Sequence, residues 1–152
     1  MKGLLVETVA LLLRLATGVP LVLAGWEKMQ AFAWWRDQLA KAELLPADLV
    51  GPAAAALPGL EFVVGATLLL GFWHRASAAV AAGLYAVFAV SMTVLWRTGA
   101  LETCACFGPG SDLEISPTTI AIRFAAAALL VVLAALTTPR LALDRVFLRL
   151  GR

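Results

Sequence analysis

Long apolar runs separated by short polar stretches dominate this chain. Four of them, at about residues 4–26, 52–72, 76–96 and 117–136, are close to the ~20 residues that a helix needs to cross the hydrocarbon core of a bilayer. The pattern predicts an all-α, polytopic membrane protein. Its fold is expected to be a bundle of four transmembrane helices that forms a single domain over residues 1–152.

Local residues refine the first two spans. Arg14 interrupts the first apolar run, and residues 16–24 offer no convincing cleavage site, so this run is predicted to be a retained helix and not a signal peptide. Gly25 would let a neighbouring helix approach closely. Pro58 is expected to kink the second span, because it cannot donate a backbone hydrogen bond.

The one long polar stretch, residues 27–51, follows the first span. Apolar residues recur in it at helical spacing: Phe32, Trp35, Leu39 and Ala42. Charged residues occupy the other faces. The stretch therefore predicts an amphipathic segment that lies in the membrane interface after the first helix.

Composition supports a membrane protein and excludes other classes. Hydrophobic residues make up 62% of the chain and charged residues 14%, whereas soluble domains average about 45–50% and ~25%. The sequence has no basic tract interleaved with aromatic residues. The expected surroundings are therefore a lipid bilayer, and nucleic acid is not expected as a partner.

The distribution of Lys and Arg predicts the orientation. Four spans place both termini on one side of the membrane, together with the short turn between the second and third spans. That side carries Lys2, Arg75, Arg140, Arg145, Arg149 and Arg152. The other side carries Lys28, Arg36, Lys41 and Arg97. Because excess positive charge marks the cytoplasmic face, both termini are predicted to be cytoplasmic.

The polar break between the third and fourth spans holds the two cysteines of the chain, Cys104 and Cys106. On the extracytoplasmic side a disulfide can form and persist. A disulfide between Cys104 and Cys106 would close almost no loop, so it would add little stability as a staple. Its ring is tighter than that of a C-x-x-C disulfide, and a strained disulfide is easily reduced and therefore oxidising. A redox-active pair is the favoured hypothesis.

A structural staple and a soft-metal clamp remain the alternatives for this pair. A metal clamp would need further soft ligands. The methionines and the one histidine, His74, are predicted to lie far from the cysteine loop, so no metal site is predicted.

Three charges lie within the predicted spans, where each costs at least ~2.5–3.5 kcal/mol unless it has a partner or a wet cavity. Arg14 and Glu61 fall at similar predicted depths, so we expect them to form a buried ion pair. Glu7 is an alternative partner for Arg14, and Glu61 could instead line a cavity. Arg123, on the cysteine side, could stabilise a thiolate, bind an anionic or quinone oxygen, or bond loop carbonyls.

Several short motifs carry a family resemblance. They are Arg14, the segment Ala24–Lys28 (AGWEK), the segment Leu57–Glu61 (LPGLE), the segment Cys104–Gly108 (CACFG) and Arg123. In this order, over nearly the whole chain, they resemble the MauE family of methylamine utilisation within the broader DoxX-like group of four-helix membrane proteins. The family usually has Gly or a similar small residue between the cysteines, so Ala105 is a mild departure.

The resemblance implies a multi-pass protein of the bacterial inner membrane whose cysteine loop faces the periplasm. It implies thiol–disulfide exchange between Cys104 and Cys106 and a thioredoxin-fold extracytoplasmic partner, which would support disulfide formation or electron transfer. A thiol–disulfide oxidoreductase is therefore the candidate enzyme class. Arg14, Lys28, Glu61 and Arg123 would be its supporting polar residues.

No cofactor follows from the residues themselves. By analogy with DsbB-like and vitamin-K-epoxide-reductase-like bundles, a quinone is a candidate electron acceptor. It would dock near Arg123 and the extracytoplasmic ends of the first two spans. Those bundles use C-x-x-C and an additional cysteine pair, which this chain lacks. Two rival functions are a soft-metal transporter that uses the cysteine pair and a non-catalytic membrane scaffold.

Overall fold

The computed structural model describes residues 2–99, 103–104 and 113–136, with side chains described for residues 7–99 and 114–135. Five α-helices and one two-stranded ladder make up the described part of the chain. Their bounds are α1 Lys2–Gln30, α2 Phe32–Lys41, α3 Ala47–Leu70, α4 His74–Thr98, β1 Thr103–Cys104, β2 Leu113–Glu114 and α5 Pro117–Leu136.

Four of these helices are long and apolar enough to cross a membrane: Glu7–Gln30 in α1, Ala47–Leu70, His74–Thr98 and Pro117–Ala135 in α5. The predicted all-α, four-helix membrane bundle is therefore confirmed. The first span continues past its expected end at residue 26, and the second begins earlier than residue 52. Both changes lengthen the helices toward the end of the bundle where the cysteine loop lies.

Helices α1 and α3 pack closely because glycines line their contact. A Cβ added at Gly25 would lie 2.5 Å from the carbonyl oxygen of Pro58, and one at Gly65 would lie 2.8 Å from that of Gly18. Such distances leave no room for a side chain, so the two backbones are in direct contact. The close approach expected at Gly25 is confirmed, and Pro58 lies inside α3 as predicted.

The main core lies where the four long helices meet. It includes Leu21 of α1, Leu68 of α3, Tyr85 of α4 and Leu130 of α5, each at most 3% exposed. At the end of the bundle near the α3–α4 turn, Arg75 donates hydrogen bonds to the carbonyls of Ala134 and Ala135 at 3.1 and 3.2 Å. This arginine satisfies carbonyl groups in the last turn of α5 that have no partner within the helix.

Helix α2 lies across the opposite end of the bundle. Trp35 and Leu39 are buried against Val50 and Ala54 of α3, while its charged residues are exposed. This amphipathic pattern agrees with the sequence, except that Phe32 is 43% exposed and does not share the buried face. The interfacial position of α2 in a membrane stays a prediction.

The same end of the bundle carries the strand ladder. Cys104 of β1 pairs with Leu113 of β2, and Thr103 pairs with Glu114, in an antiparallel register. Two residues later the chain enters α5 at Pro117, where the N–H of Thr119 donates to Ser116 Oγ at 3.3 Å. The fourth span therefore begins at residue 117 as expected, and Ser116 caps it.

Candidate functional site

A buried ion pair links α1 to α3 beneath α2. The ammonium nitrogen of Lys28 lies 2.6 and 2.9 Å from the two carboxylate oxygens of Glu61. The side chains are 3% and 0% exposed. Helical side chains lean toward the N-terminus of their own helix, so in this antiparallel pair Lys28 and Glu61 lean toward each other. The expected Arg14–Glu61 pair is therefore wrong.

Arg14 occupies the other end of the bundle. Its Nε donates to the carbonyl of Leu68 at 2.9 Å and its Nη2 to that of Leu69 at 3.0 Å. These carbonyls belong to the last turn of α3, which is also the negative end of the helix dipole. Arg14 therefore satisfies carbonyl groups at a helix terminus.

The length of α1 explains why Glu61 pairs with Lys28 and not with Arg14. Because α1 continues to Gln30, Lys28 reaches the level of Glu61. Arg14 is displaced from Lys28 by about 20 Å, at ~1.5 Å of rise per residue. The sequence predicts Lys28 as a supporting polar residue of the site, but the predicted end of the first span at residue 26 places it in a loop.

Two aromatic rings enclose the Lys28 ammonium group. Its nitrogen lies 4.6 Å from the ring centroid of Trp35 and 5.3 Å from that of Phe88. Both distances are within the range of a cation–π interaction. Because helix α2 contributes Trp35, this amphipathic segment covers the Lys28–Glu61 pair at its end of the bundle. The sequence analysis did not single out Phe88, which lies within the apolar run of the third span.

Arg123 joins the same region from α5. The central carbon of its guanidinium group lies 5.7 Å from the ring centroid of Tyr85, and the group interacts electrostatically with Tyr85 and Glu61. The Tyr85 hydroxyl donates to the Thr17 carbonyl at 2.8 Å. The described cluster therefore holds two cations, Lys28 and Arg123, and one carboxylate. We call Lys28, Glu61, Tyr85 and Arg123 the polar cluster.

Tyr85 was missed by reasoning from the sequence, although a signal was available. It is the single tyrosine of the chain and it interrupts an otherwise apolar span. A phenol hydroxyl in such a position usually finds a hydrogen-bond partner.

Two spaces adjoin the polar cluster. A small cavity of about 20 Å³ is lined by Leu21, Ala24, Lys28, Tyr85, Phe88 and Arg123, among others. This volume is sufficient for about one water molecule. A larger groove of about 270 Å³ runs between α1 and α5 and is lined by Ala16, Pro20, Tyr85, Thr119, Ile122 and Arg123, among others. We call it the α1–α5 groove.

Of the site residues predicted from the sequence, the fold brings Lys28, Glu61 and Arg123 together and holds Arg14 apart. The backbone of Cys104 lies in β1, at the same end of the bundle as the polar cluster. The Cys104 side chain and all of Cys106 lie outside the described residues, so the assignment of both as redox-active stays a prediction.

Comparison with known proteins gives one result. No curated protein and no solved structure matches the chain. A family model, described as methylamine utilisation protein MauE, matches residues 6–139. That range covers the polar cluster, the cysteine loop and all four spans. The chain therefore belongs to the MauE family of multi-pass membrane proteins.

Proposed function

We propose that this protein exchanges thiols and disulfides with a thioredoxin-fold partner through Cys104 and Cys106. The observation that carries the proposal is the pairing of the Cys104 backbone with Leu113, which tethers the cysteine strand to the entry of α5. The chain there lies at one end of the bundle, where a partner outside the membrane can reach it. Membership of the MauE family supports the same function.

The proposed exchange is balanced in atoms and electrons. A thiolate of the reduced partner attacks one sulfur of the Cys104–Cys106 disulfide, and the other sulfur leaves as a thiolate that takes up a proton. The second partner thiol then attacks the mixed disulfide. The partner ends as a disulfide, and Cys104 and Cys106 end as two thiols.

Renewed turnover requires an acceptor for two electrons and two protons. We propose a membrane quinone, which is reduced to a quinol as the two thiols become a disulfide again. The family places the protein in a membrane, and a lipid-soluble acceptor suits that location. The protein would then be a thiol–disulfide oxidoreductase.

The orientation proposed for this reaction rests on charge. Lys and Arg are more numerous on the side of the termini than on the side of the cysteines, which favours cytoplasmic termini. The cysteine loop would then face the periplasm of a bacterial cell, where disulfides persist.

The reduction potential of the cysteine pair tests the proposal. Purified protein would be equilibrated with glutathione or dithiothreitol at graded ratios, and its thiols would be counted by alkylation. We expect a potential well above about −300 mV, the level below which inert structural disulfides are typically found. In a second step, Cys104→Ser and Cys106→Ser are each combined with a partner that lacks its own resolving cysteine. One of the two should trap a mixed disulfide.

Two results would contradict thiol exchange. A disulfide that resists reduction would mark a structural staple, and full disulfide turnover by the double serine variant would show that neither sulfur is needed. A pair that stays reduced and binds one Cu(I) through both thiols would support the metal-handling alternative instead.

A further inference from the structure

We infer that the α1–α5 groove binds the headgroup of the quinone. The biological role of this binding rests on the proposed thiol exchange. The binding itself can be measured without thiol chemistry. The groove has the volume, the polar groups and the position that such a ligand requires.

The groove is accessible from the bilayer. It lies between α1 and α5, two helices that are apolar enough to span a membrane. Ile122 on its wall is 61% exposed, and Ala16 is also exposed. In a membrane these side chains would face lipid. A ligand that enters here must therefore be lipid-soluble.

The volume suits a ring-sized group. At about 270 Å³, the groove approaches the lower end of the ~300–1,000 Å³ typical of small-molecule sites. Apolar lining by Ala16, Ile122 and Ala126 leaves a path for an isoprenoid tail along the two helices.

Hydrogen-bonding groups of both kinds line the groove. Arg123 can donate to a quinone carbonyl. Pro20 has no N–H, so α1 lacks the helical hydrogen bond that would otherwise end on the Ala16 carbonyl. That carbonyl can accept a hydrogen bond from a quinol hydroxyl. The groove therefore has a donor for the oxidised ligand and an acceptor for the reduced one.

Arg123 also brings positive charge to the groove. A cation in a desolvated site stabilises the negative charge that electrons bring to an oxygen of the ligand. The Tyr85 ring beside Arg123 holds the guanidinium group at the groove.

The groove also adjoins the cysteine strand. Thr119 lines the groove, and its hydroxyl donates to the Glu114 carbonyl at 3.2 Å. Glu114 belongs to β2, which pairs with the strand that contains Cys104. Thr119 thus contacts both the groove and the ladder, so the groove lies beside the strand pair that contains Cys104.

The sequence suggested a position near Arg123 and the extracytoplasmic ends of the first two spans. The groove includes Arg123 and residues of α1 but none of α3. The contact of Gly18 and Gly25 with α3 is too close for a ligand, since even a Cβ there would lie within 3 Å of its neighbours. The space near Arg123 opens instead toward α5.

Photolabelling tests the site. Protein with both cysteines replaced by serine would be irradiated with a short-chain azidoquinone, and the labelled peptides identified by mass spectrometry. Label is expected in α1 and α5. Unlabelled ubiquinone should compete for it, and titration of that competition gives the affinity.

Two variants and their controls sharpen the test. Arg123→Gln removes a charged donor and should weaken binding about 10- to 100-fold. Its control is Arg97→Gln, at the exposed end of α4, which should leave affinity unchanged. Ala16→Leu narrows the groove and should weaken binding at least tenfold even if Arg123→Gln fails to fold. Ala125→Leu, an exposed alanine of α5 outside the groove, is its control.

The outcomes separate this site from the proposed thiol exchange. Loss of labelling in Ala16→Leu supports the site even if the cysteine pair proves inert. Labelling that persists in both groove variants overturns the site and leaves the cysteine chemistry untouched. If purified protein binds phosphatidylglycerol in the groove and ubiquinone does not displace it, the groove is a phospholipid site and the inference is wrong.

Discussion

Lys28 and Glu61 form a bidentate ion pair at 2.6 and 2.9 Å in the interior of the bundle, and both side chains are almost completely excluded from the surface. Trp35 and Phe88 surround the ammonium group, and Arg123 lies near enough to interact with the carboxylate. The pair therefore connects α1 and α3 directly and holds α2 and α5 through these neighbours.

Breaking this pair should strongly destabilise the bundle. Glu61→Gln leaves the Lys28 charge buried without its counter-ion, and we expect a loss of about 3–5 kcal/mol. Replacing both residues, as Lys28→Met with Glu61→Leu, should recover much of that loss, because no buried charge remains. Thermal unfolding in detergent of Lys28→Met, Glu61→Leu and the double variant would measure the coupling energy between the two residues.

The exposed pair Lys41–Asp37 provides a matched control. Its atoms are also close, at 2.7 Å, but the side chains are 58% and 56% exposed. Removing it should cost only ~0.3–0.5 kcal/mol. Equal effects at the two pairs, or strict additivity of Lys28→Met and Glu61→Leu, would show that the buried pair is not the link described here.

The glycine contacts between α1 and α3 predict that alanine is tolerated differently at Gly25 and at Gly83. Gly25→Ala places a Cβ 2.5 Å from the Pro58 carbonyl oxygen, so the helices must separate, at an expected cost of about 1–3 kcal/mol. Gly83→Ala in α4 meets nothing within 4 Å and should be neutral or stabilise by up to ~1 kcal/mol, because alanine favours helix. Chemical denaturation of both variants would compare them. A Gly25→Ala protein as stable as Gly83→Ala would refute the close contact.

Arg14 should contribute to stability without contributing to quinone binding. Arg14→Gln removes charge-assisted hydrogen bonds to the Leu68 and Leu69 carbonyls, each type of bond being worth ~1.5–3 kcal/mol. Arg14→Lys should recover part of the loss, because the charge at the end of α3 is retained. Melting temperatures would be read beside azidoquinone labelling, with exposed Arg36→Gln as the control. Weaker labelling in folded Arg14→Gln protein would contradict a purely structural role.

Two substitutions of Tyr85 should distinguish the contribution of its ring from that of its hydroxyl group. Tyr85→Phe loses the 2.8 Å hydrogen bond to the Thr17 carbonyl and should cost about 0.5–1.5 kcal/mol. The ring beside Arg123 remains, so quinone affinity should change by less than about threefold, a difference of under ~0.7 kcal/mol. Tyr85→Leu removes the ring as well and should weaken binding further. Equal affinities for the Phe and Leu variants would show that the ring does not position Arg123.

Apolar length determined the architecture before any contact was known. A run long enough to span a bilayer has few alternatives to a helix, because its backbone groups must bond internally. Ser116 and Pro117 likewise specified the start of α5 by local chemistry alone. The buried face of α2 followed from the spacing of Trp35 and Leu39.

Only the tertiary structure determined which charged residues pair with each other. Which charge lies opposite Glu61 depends on how far α1 extends and on the direction in which side chains lean, and neither is encoded by spacing within one span. The sequence pointed to Arg123 and the ends of the first two spans, but only the structure shows that the groove beside Arg123 lies between α1 and α5. Glycines close the α1–α3 contact completely, and this lateral packing leaves the open space between α1 and α5.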